Sequence, residues 1–222
     1  MNNHPYQTRR LDILDLGRKN YKEVWDIQLE LHKNRVENRI PDTLILVEHN
    51  PVITLGKSGL QNNILISEEE LQKKGIEFYQ VERGGDATFH GPGQLVGYPI
   101  FNIKQGLAGI RPFIEKIEEV IIRVLHDFRI SAKKHEKMIG VWTDEGKICS
   151  IGIAVRRWVS FHGFALNVNT DLSYFDLIYP CGYKEIKIVS MKKILNNEIS
   201  MDMVKERVIK NFCVLFQKES KN

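Results

Sequence analysis

Between the apolar runs IEFYQV and LVGYPIFNI the chain reads RGGDATFHGPGQ, residues 83–94, with glycines at 84, 85, 91 and 93. Lacking a Cβ, glycine reaches positive φ and lets another backbone or a ligand come close. What flanks such a segment decides which folds are open to it. A dinucleotide loop needs G-x-G-x-x-G and then a helix whose N-terminus meets the pyrophosphate. Here Gly91, Gly93 and Gly97 are spaced G-x-G-x-x-x-G and a strand pattern follows, which argues against that fold. Gly140 to Lys147 fails as a phosphate loop. Five residues, not four, separate Gly140 from Gly146, and Ile148 takes the place of the magnesium-binding Ser or Thr. What remains is a glycine-rich wall between strands, with Arg83 and His90 at its ends and peptide N–H groups suited to a carbonyl oxygen or an oxyanion. A plain turn is the alternative, and four glycines over ten residues favour the wall.

Periodicity predicts strands over Leu11–Leu16, Leu44–Glu48, Val52–Leu55, Ile76–Val81 and Leu95–Ile103, then Ile139–Thr143, Lys147–Arg156 and Phe161–Val168. Helices are expected over Tyr21–Glu37, Glu68–Lys74, residues 113–128 and Met203–Phe216. Val24, Ile27, Leu31 and Val36 would form the apolar stripe of the first. Strands and helices mix without regular alternation, so the class is α+β, and no repeat or linker divides the 222 residues, which read as one catalytic domain, 1–222.

Composition removes several functions. Apolar residues make up 42% and charged residues 27%, the balance of a globular chain. The longest uncharged stretch, Gly91–Ile103, has 13 residues, short of the roughly 20 that span a membrane. A net charge of +4 with basic pairs scattered along the chain is not a nucleic-acid footprint. No H-x-x-x-H or C-x-x-C occurs, so no metal site is expected. Three cysteines without paired spacing fit a reducing compartment, and the N-terminus lacks an apolar signal core, so the expected location is cytoplasmic.

Thiol chemistry needs an accessible cysteine near a base or cation. Strict alternation along KICSIGIAV would put Lys147, Cys149, Ile151 and Ile153 on one face and Ile148, Ser150, Gly152 and Ala154 on the other. Cys181 stands in the turn YPCGY, and Cys213 lies among Val208, Phe212, Leu215 and Phe216, a packing position. These arguments leave both Cys149 and Cys181 open as nucleophiles.

Taken together, RGGDATFHGPGQLVGYPI, GKICSIGIAVRRWVSFHGFALNVNTDL and PCGY, in that order, resemble the octanoyl (lipoyl) transferases. The resemblance implies the α+β fold of the biotin and lipoate protein ligase catalytic domains, with a central mixed sheet and flanking helices. It implies Cys181 as the acyl-thioester nucleophile and Lys147 as its partner. Substrate-binding segments map onto Arg83, Gly84, Gly85, Asp86, Ala87, Thr88, Phe89 and His90, onto Ser150, Ile151 and Gly152, and onto Gly163, Phe164 and Ala165. The implied donor is octanoyl-acyl carrier protein. The implied acceptors are lipoyl domains of 2-oxoacid dehydrogenase complexes or the glycine cleavage H protein, and no cofactor is implied. Because those partners are acidic, Arg156, Arg157 and Lys184 are expected to steer them. The rival readings are an ATP-dependent lipoate protein ligase of the same fold and a cysteine thioesterase.

Overall fold

The computed structural model describes residues 10–104, 109–182 and 186–217, the side chains of Cys181 and Gln217 excepted. Lys184 lies outside the described residues. A seven-stranded mixed sheet runs, in spatial order, through β1 (Leu11–Lys19), β2 (Asp42–His49), β6 (Gln94–Ile100), β10 (Val159–Asn167), β9 (Gly146–Arg156), β8 (Val141–Thr143) and β7 (Lys133–Lys134). Within it β1 and β2 are parallel and the remaining pairs antiparallel. A second sheet has the order β4 (Glu77–Gln80), β3 (Val52–Leu55), β5 (Ala87–His90). With five α-helices among the described residues, the architecture is the expected α+β one with a mixed sheet.

One face of the large sheet is covered by α3 (Ile110–Asp127) and α5 (Met201–Gln217) over the main core. Rings of Phe101, Phe113, Phe212 and Phe216 meet there, Phe101 edge-on to Phe216 at 5.1 Å. α3 begins three residues before the predicted start because Pro112 falls in its first turn, where a missing N–H costs nothing. α1 (Tyr21–Val36) covers the opposite face. Its fully buried line is Tyr21, Val24, Gln28, His32 and Arg35 rather than the apolar stripe alone; Ile27, Leu31 and Val36 are only partly buried. Three of the polar groups there have partners. Gln28 Oε1 accepts from the His162 N–H (2.8 Å), His32 Nε2 bonds the Arg156 carbonyl (3.1 Å), and Arg35 pairs with Asp42 (2.8 Å).

α2 (Glu68–Lys73) opens on a capping box between Ser67 and Glu70, and α4 (Met191–Leu195) is capped by Ser190. β5 was not legible in the sequence: its four residues, ATFH, are hidden between glycines. β9 and β10 are joined by Arg157 and Trp158, both at positive φ (51° and 64°), the hairpin geometry that glycine and asparagine usually supply.

The structure corrects the alternation expected along β9. Val141 pairs with Cys149 and Trp142 with Lys147, so Ile148 is an extra residue opposite no partner. This β-bulge shifts the side-chain phase by one residue. Ile148 and Cys149 both enter the main core, joined by Ile151 and Ile153 at its margin. Lys147 and Cys149 therefore do not share a face, and Lys147 joins Ser150 and Gly152 on the side that faces away from that core.

Candidate active site

A cavity of about 320 Å³ lies between the 83–90 segment and strands β9 and β10, at the small end of ligand sites. The segment is pinned to the sheet by backbone: the Gly84 N–H donates to the Ile153 carbonyl at 3.1 Å. Gly152 makes this approach possible, since a Cβ there would stand 2.8 Å from the Gly84 oxygen and 3.2 Å from Arg83 Cδ. Arg83 is 7% exposed, not a surface residue of a turn. Its Nη2 donates to the Thr54 carbonyl (2.7 Å), Thr54 Oγ1 (2.9 Å) and the Asp86 carbonyl (2.7 Å). Arg83 thus ties both ends of the glycine turn to β3.

At one end stands Lys147, 3% exposed, its Nζ 5.5 Å from the centre of the Trp142 ring. The opposite side of the lysine is closed by Gly140, where a Cβ would be 2.7 Å from Lys147 Cε. The Gly140 N–H is held by the buried Glu118 carboxylate at 3.0 Å. Residues 180–182 form a single helical turn beside this wall. The Gly182 N–H donates to the Tyr179 carbonyl (3.0 Å), and a Cβ at Gly182 would lie 2.7 Å from Asp86 Oδ2. Asp86 is itself fixed by Asn63 Nδ2 (2.7 Å) and by the Ala87 N–H (2.6 Å). The backbone of Cys181 is therefore carried against the Asp86 end of the glycine segment, while its side chain lies outside the described residues. Cys149 is fully buried, and burial pushes its thiol far above the ordinary range. Cys213 is half-buried at the margin of the helix packing rather than inside it.

The other end is aromatic and polar. Tyr21, His90 and Tyr98 line it together with His162. Tyr98 Oη donates to His49 Nε2 (2.8 Å), whose Nδ1 donates to the Lys19 carbonyl (3.1 Å). His90 Nδ1 donates to Gln94 Oε1 at 2.7 Å. Burial pushes His90 down to about 3 and His49 to about 4, so both rings are neutral at physiological pH. His90 thus acts as a neutral donor to Gln94, and burial lowers His162 as well. His162 sits in mid-strand at φ 55°, with its N–H turned out of the ladder to Gln28. A left-handed conformation costs a non-glycine residue about 1–2 kcal/mol.

Of the residues singled out in the sequence, the 83–90 segment apart from Phe89 lines the cavity, as do Lys147, Ser150, Ile151, Gly152, Gly163, Phe164 and Ala165. Phe89 points to the other side of its strand, into the core of the small sheet, stacked on Tyr174 at 4.5 Å. Arg156 and Arg157 sit at the hairpin end of β9, nine residues from Lys147 at about 3.3 Å per residue. That is several screening lengths of about 8 Å, so these arginines stand at the end of β9 away from the lysine. Tyr21, Tyr98 and His162 escaped the sequence reading. The positive-φ histidine in front of Gly163 has no compositional signature, and Tyr21 reads as an ordinary first helical residue.

A chain with this fold and this cavity belongs to the family of the lipoyl protein ligase A/B catalytic domain, whose model matches residues 20–213. Among its curated relatives is an octanoyltransferase of Dictyoglomus thermophilum, 49% identical over 201 residues, covering 90% of this chain and 85% of the relative. The fold is shared with lipoate-protein ligase A in its ATP-bound crystal structure (TM-score 0.72, 17% identity, 95% of this chain and 86% of that one). It is shared more loosely with biotin protein ligase of Aquifex aeolicus (TM-score 0.53, 12% identity, 97% and 73%).

Proposed function

We propose that this protein is an octanoyltransferase of lipoate biosynthesis, moving an octanoyl group from octanoyl-acyl carrier protein onto a lysine of lipoyl domains. The observation that carries the reading is the 49% identity to an octanoyltransferase across nine-tenths of the chain. Lys147 at one end of an apolar cavity, with the Pro180–Gly182 turn against the same wall, supports it. In the first half-reaction the Cys181 thiol gives its proton to Lys147, and the sulfur adds to the donor thioester carbonyl. The pantetheine sulfur leaves and takes a proton. In the second, the acceptor amine adds to the Cys181 thioester, Lys147 receives the amine proton, and the cysteine sulfur leaves as an amide forms. Exchange of one thioester for another is near thermoneutral and amide formation drives the sequence forward, so no nucleotide is consumed.

The reaction, between protein-borne substrates, is proposed for the cytoplasm; among the described residues no helix is long and apolar enough to cross a membrane. The test is intact-mass measurement after mixing with octanoyl-acyl carrier protein, then addition of a lipoyl domain without ATP or magnesium. One octanoyl mass on Cys181, discharged onto the acceptor, is expected. Lys147→Ala should slow transfer by about 10²- to 10⁴-fold. Transfer that requires ATP and free octanoate would make the protein a ligase, and release of free octanoate with no acylated acceptor would make it a thioesterase.

A further inference from the structure

The Pro180–Gly182 turn is tied to the cavity wall through a short strap from another part of the chain, residues 61–65. The Leu65 N–H donates to the Leu177 carbonyl (2.9 Å), Ile64 bridges Ile178 in antiparallel fashion, and the Asn63 carbonyl accepts from the Tyr179 N–H (2.8 Å). These bonds fasten the strap to the residues just before the turn. The half-buried Asn63 side chain carries the connection on to the wall, its Nδ2 donating to Asp86 Oδ2 at 2.7 Å. Asp86 Oδ1 accepts from the Ala87 N–H at 2.6 Å, so the carboxylate is fixed through both oxygens. Gly182 closes over the pair. It stands at φ 77°, and a Cβ there would lie 2.7 Å from Asp86 Oδ2 and 3.5 Å from Asn63 Nδ2.

We infer that Asn63 and Asp86 form the seat of the turn that carries Cys181 and are positioning residues for the transfer. The inference rests on the proposed function, in which Cys181 is the group acylated. Asn63 holds the main chain of residue 179 with its carbonyl and the wall residue Asp86 with its side chain, so it sets the distance between the turn and the glycine segment that lines the cavity. The bond has an ionised acceptor, the stronger and shorter kind. It is also directional. Asn63 satisfies Asp86 only with its NH₂ group, because an acceptor in that place would set oxygen against oxygen. Gly182 leaves the pair room to lie directly under the turn, where a side chain would lift it off. A misplacement of about 1 Å between reacting groups costs about 10²-fold in rate, so a seat of this kind acts on the chemical step without touching the acyl chain.

The experiment exchanges the partners. Asn63→Asp sets carboxylate against carboxylate, Asp86→Asn sets amide against amide, and the double variant restores the pair with its ends reversed. Two rates are read on each protein: acylation of Cys181 by saturating octanoyl-acyl carrier protein in a single turnover without acceptor, by intact mass, and alkylation of Cys181 by iodoacetamide, by peptide mass. Urea midpoints and octanoate affinity are measured beside them. Each single variant should slow acylation by about 10²-fold, and alkylation should slow with it because the thiol loses its place beside Lys147. Asn63→Asp, which lies outside the cavity lining, should bind octanoate as wild type does. The double variant should recover both rates. Asn63→Ala removes the donor, keeps the backbone bond to Tyr179 and introduces no charge; it should slow both rates as well, and it decides the matter where a charge variant does not fold. Wild-type rates in Asn63→Ala, with or without a lower urea midpoint, or a folded double variant no faster than the single ones, overturn the seat. Absence of acylation in wild type would defeat the proposed reaction, while the alkylation series would still decide the seat.

Discussion

Replacing Gly152 by alanine tests whether the glycine segment is held against β9 by direct backbone contact. The new methyl would stand 2.8 Å from the Gly84 carbonyl oxygen and 3.2 Å from Arg83 Cδ, well inside contact distance. Neither neighbour yields easily. The oxygen is backbone, and the arginine is fastened through Nη2 and Nε to Thr54 and through Nη2 to the Asp86 carbonyl. Relief comes from lifting residues 83–85 off the strand, which breaks the Gly84 to Ile153 hydrogen bond, worth about 1 kcal/mol. Residual overpacking adds about 1–3 kcal/mol, for a total of roughly 2–4 kcal/mol. Urea unfolding should show that loss, and kcat/KM for octanoyl transfer should fall by at least ten-fold because the cavity wall has moved. Ala154→Val, one pair further on the same face, controls for volume added outside the contact with Gly84. Wild-type stability and turnover in Gly152→Ala would mean that the segment does not rest on the strand, and the site geometry argued from it would fall.

Cys149→Ala should keep octanoyl transfer near the wild-type rate while costing about 1 kcal/mol in urea unfolding for the small hole it leaves; loss of the acyl adduct in that variant would return Cys149 to candidacy. Thr54→Val, which removes the Oγ1 acceptor of the buried Arg83, should destabilise by about 1.5–3 kcal/mol, the range for hydrogen bonds to charged groups; a change under 0.5 kcal/mol in the same assay would refute the anchoring role. His49 and His90 stay neutral in the folded chain down to about pH 4 and 3, whereas in the unfolded chain each binds a proton near pH 6.5. The unfolded state thus gains protons first, so stability is present above pH 6.5 and is lost as pH falls toward 3, by about 2 kcal/mol per ring at pH 5. A flat urea midpoint between pH 7 and pH 5 would contradict this.

Much of the scaffold could be read from the chain. β3 and β9 appear within a residue of their expected bounds, and the α+β class follows from how the apolar runs are ordered. The site was legible where a residue type is forced by space: Gly152 and Gly163 stand where a Cβ would run into the backbone of Gly84 and Gly97. It was not legible where a polar side chain is buried because something far along the chain receives it. Gln28, which bonds the His162 N–H 134 residues away, looks like an exposed helix residue until the sheet is built. The face of Lys147 was misjudged for a related reason. Alternation counts residues, and the bulge opposite β8 depends on a neighbouring strand rather than on the sequence of β9.

Ile148 gives β9 odd parity. Residues after it are counted from one side of the sheet and Lys147 before it from the other, so one unpaired residue separates an oily face from a reactive one. Were Ile148 an ordinary paired residue, strict alternation from Cys149 would turn the Lys147 side chain toward Ile117, Val141 and their neighbours in the core, whereas loss of Ile148 and the bulge together would leave the lysine on the cavity face. The place of the bulge, with no functional residue altered, therefore decides which face the lysine reaches. An alignment that counts Ile148 as an ordinary ladder residue would in turn assign Lys147 to the wrong surface.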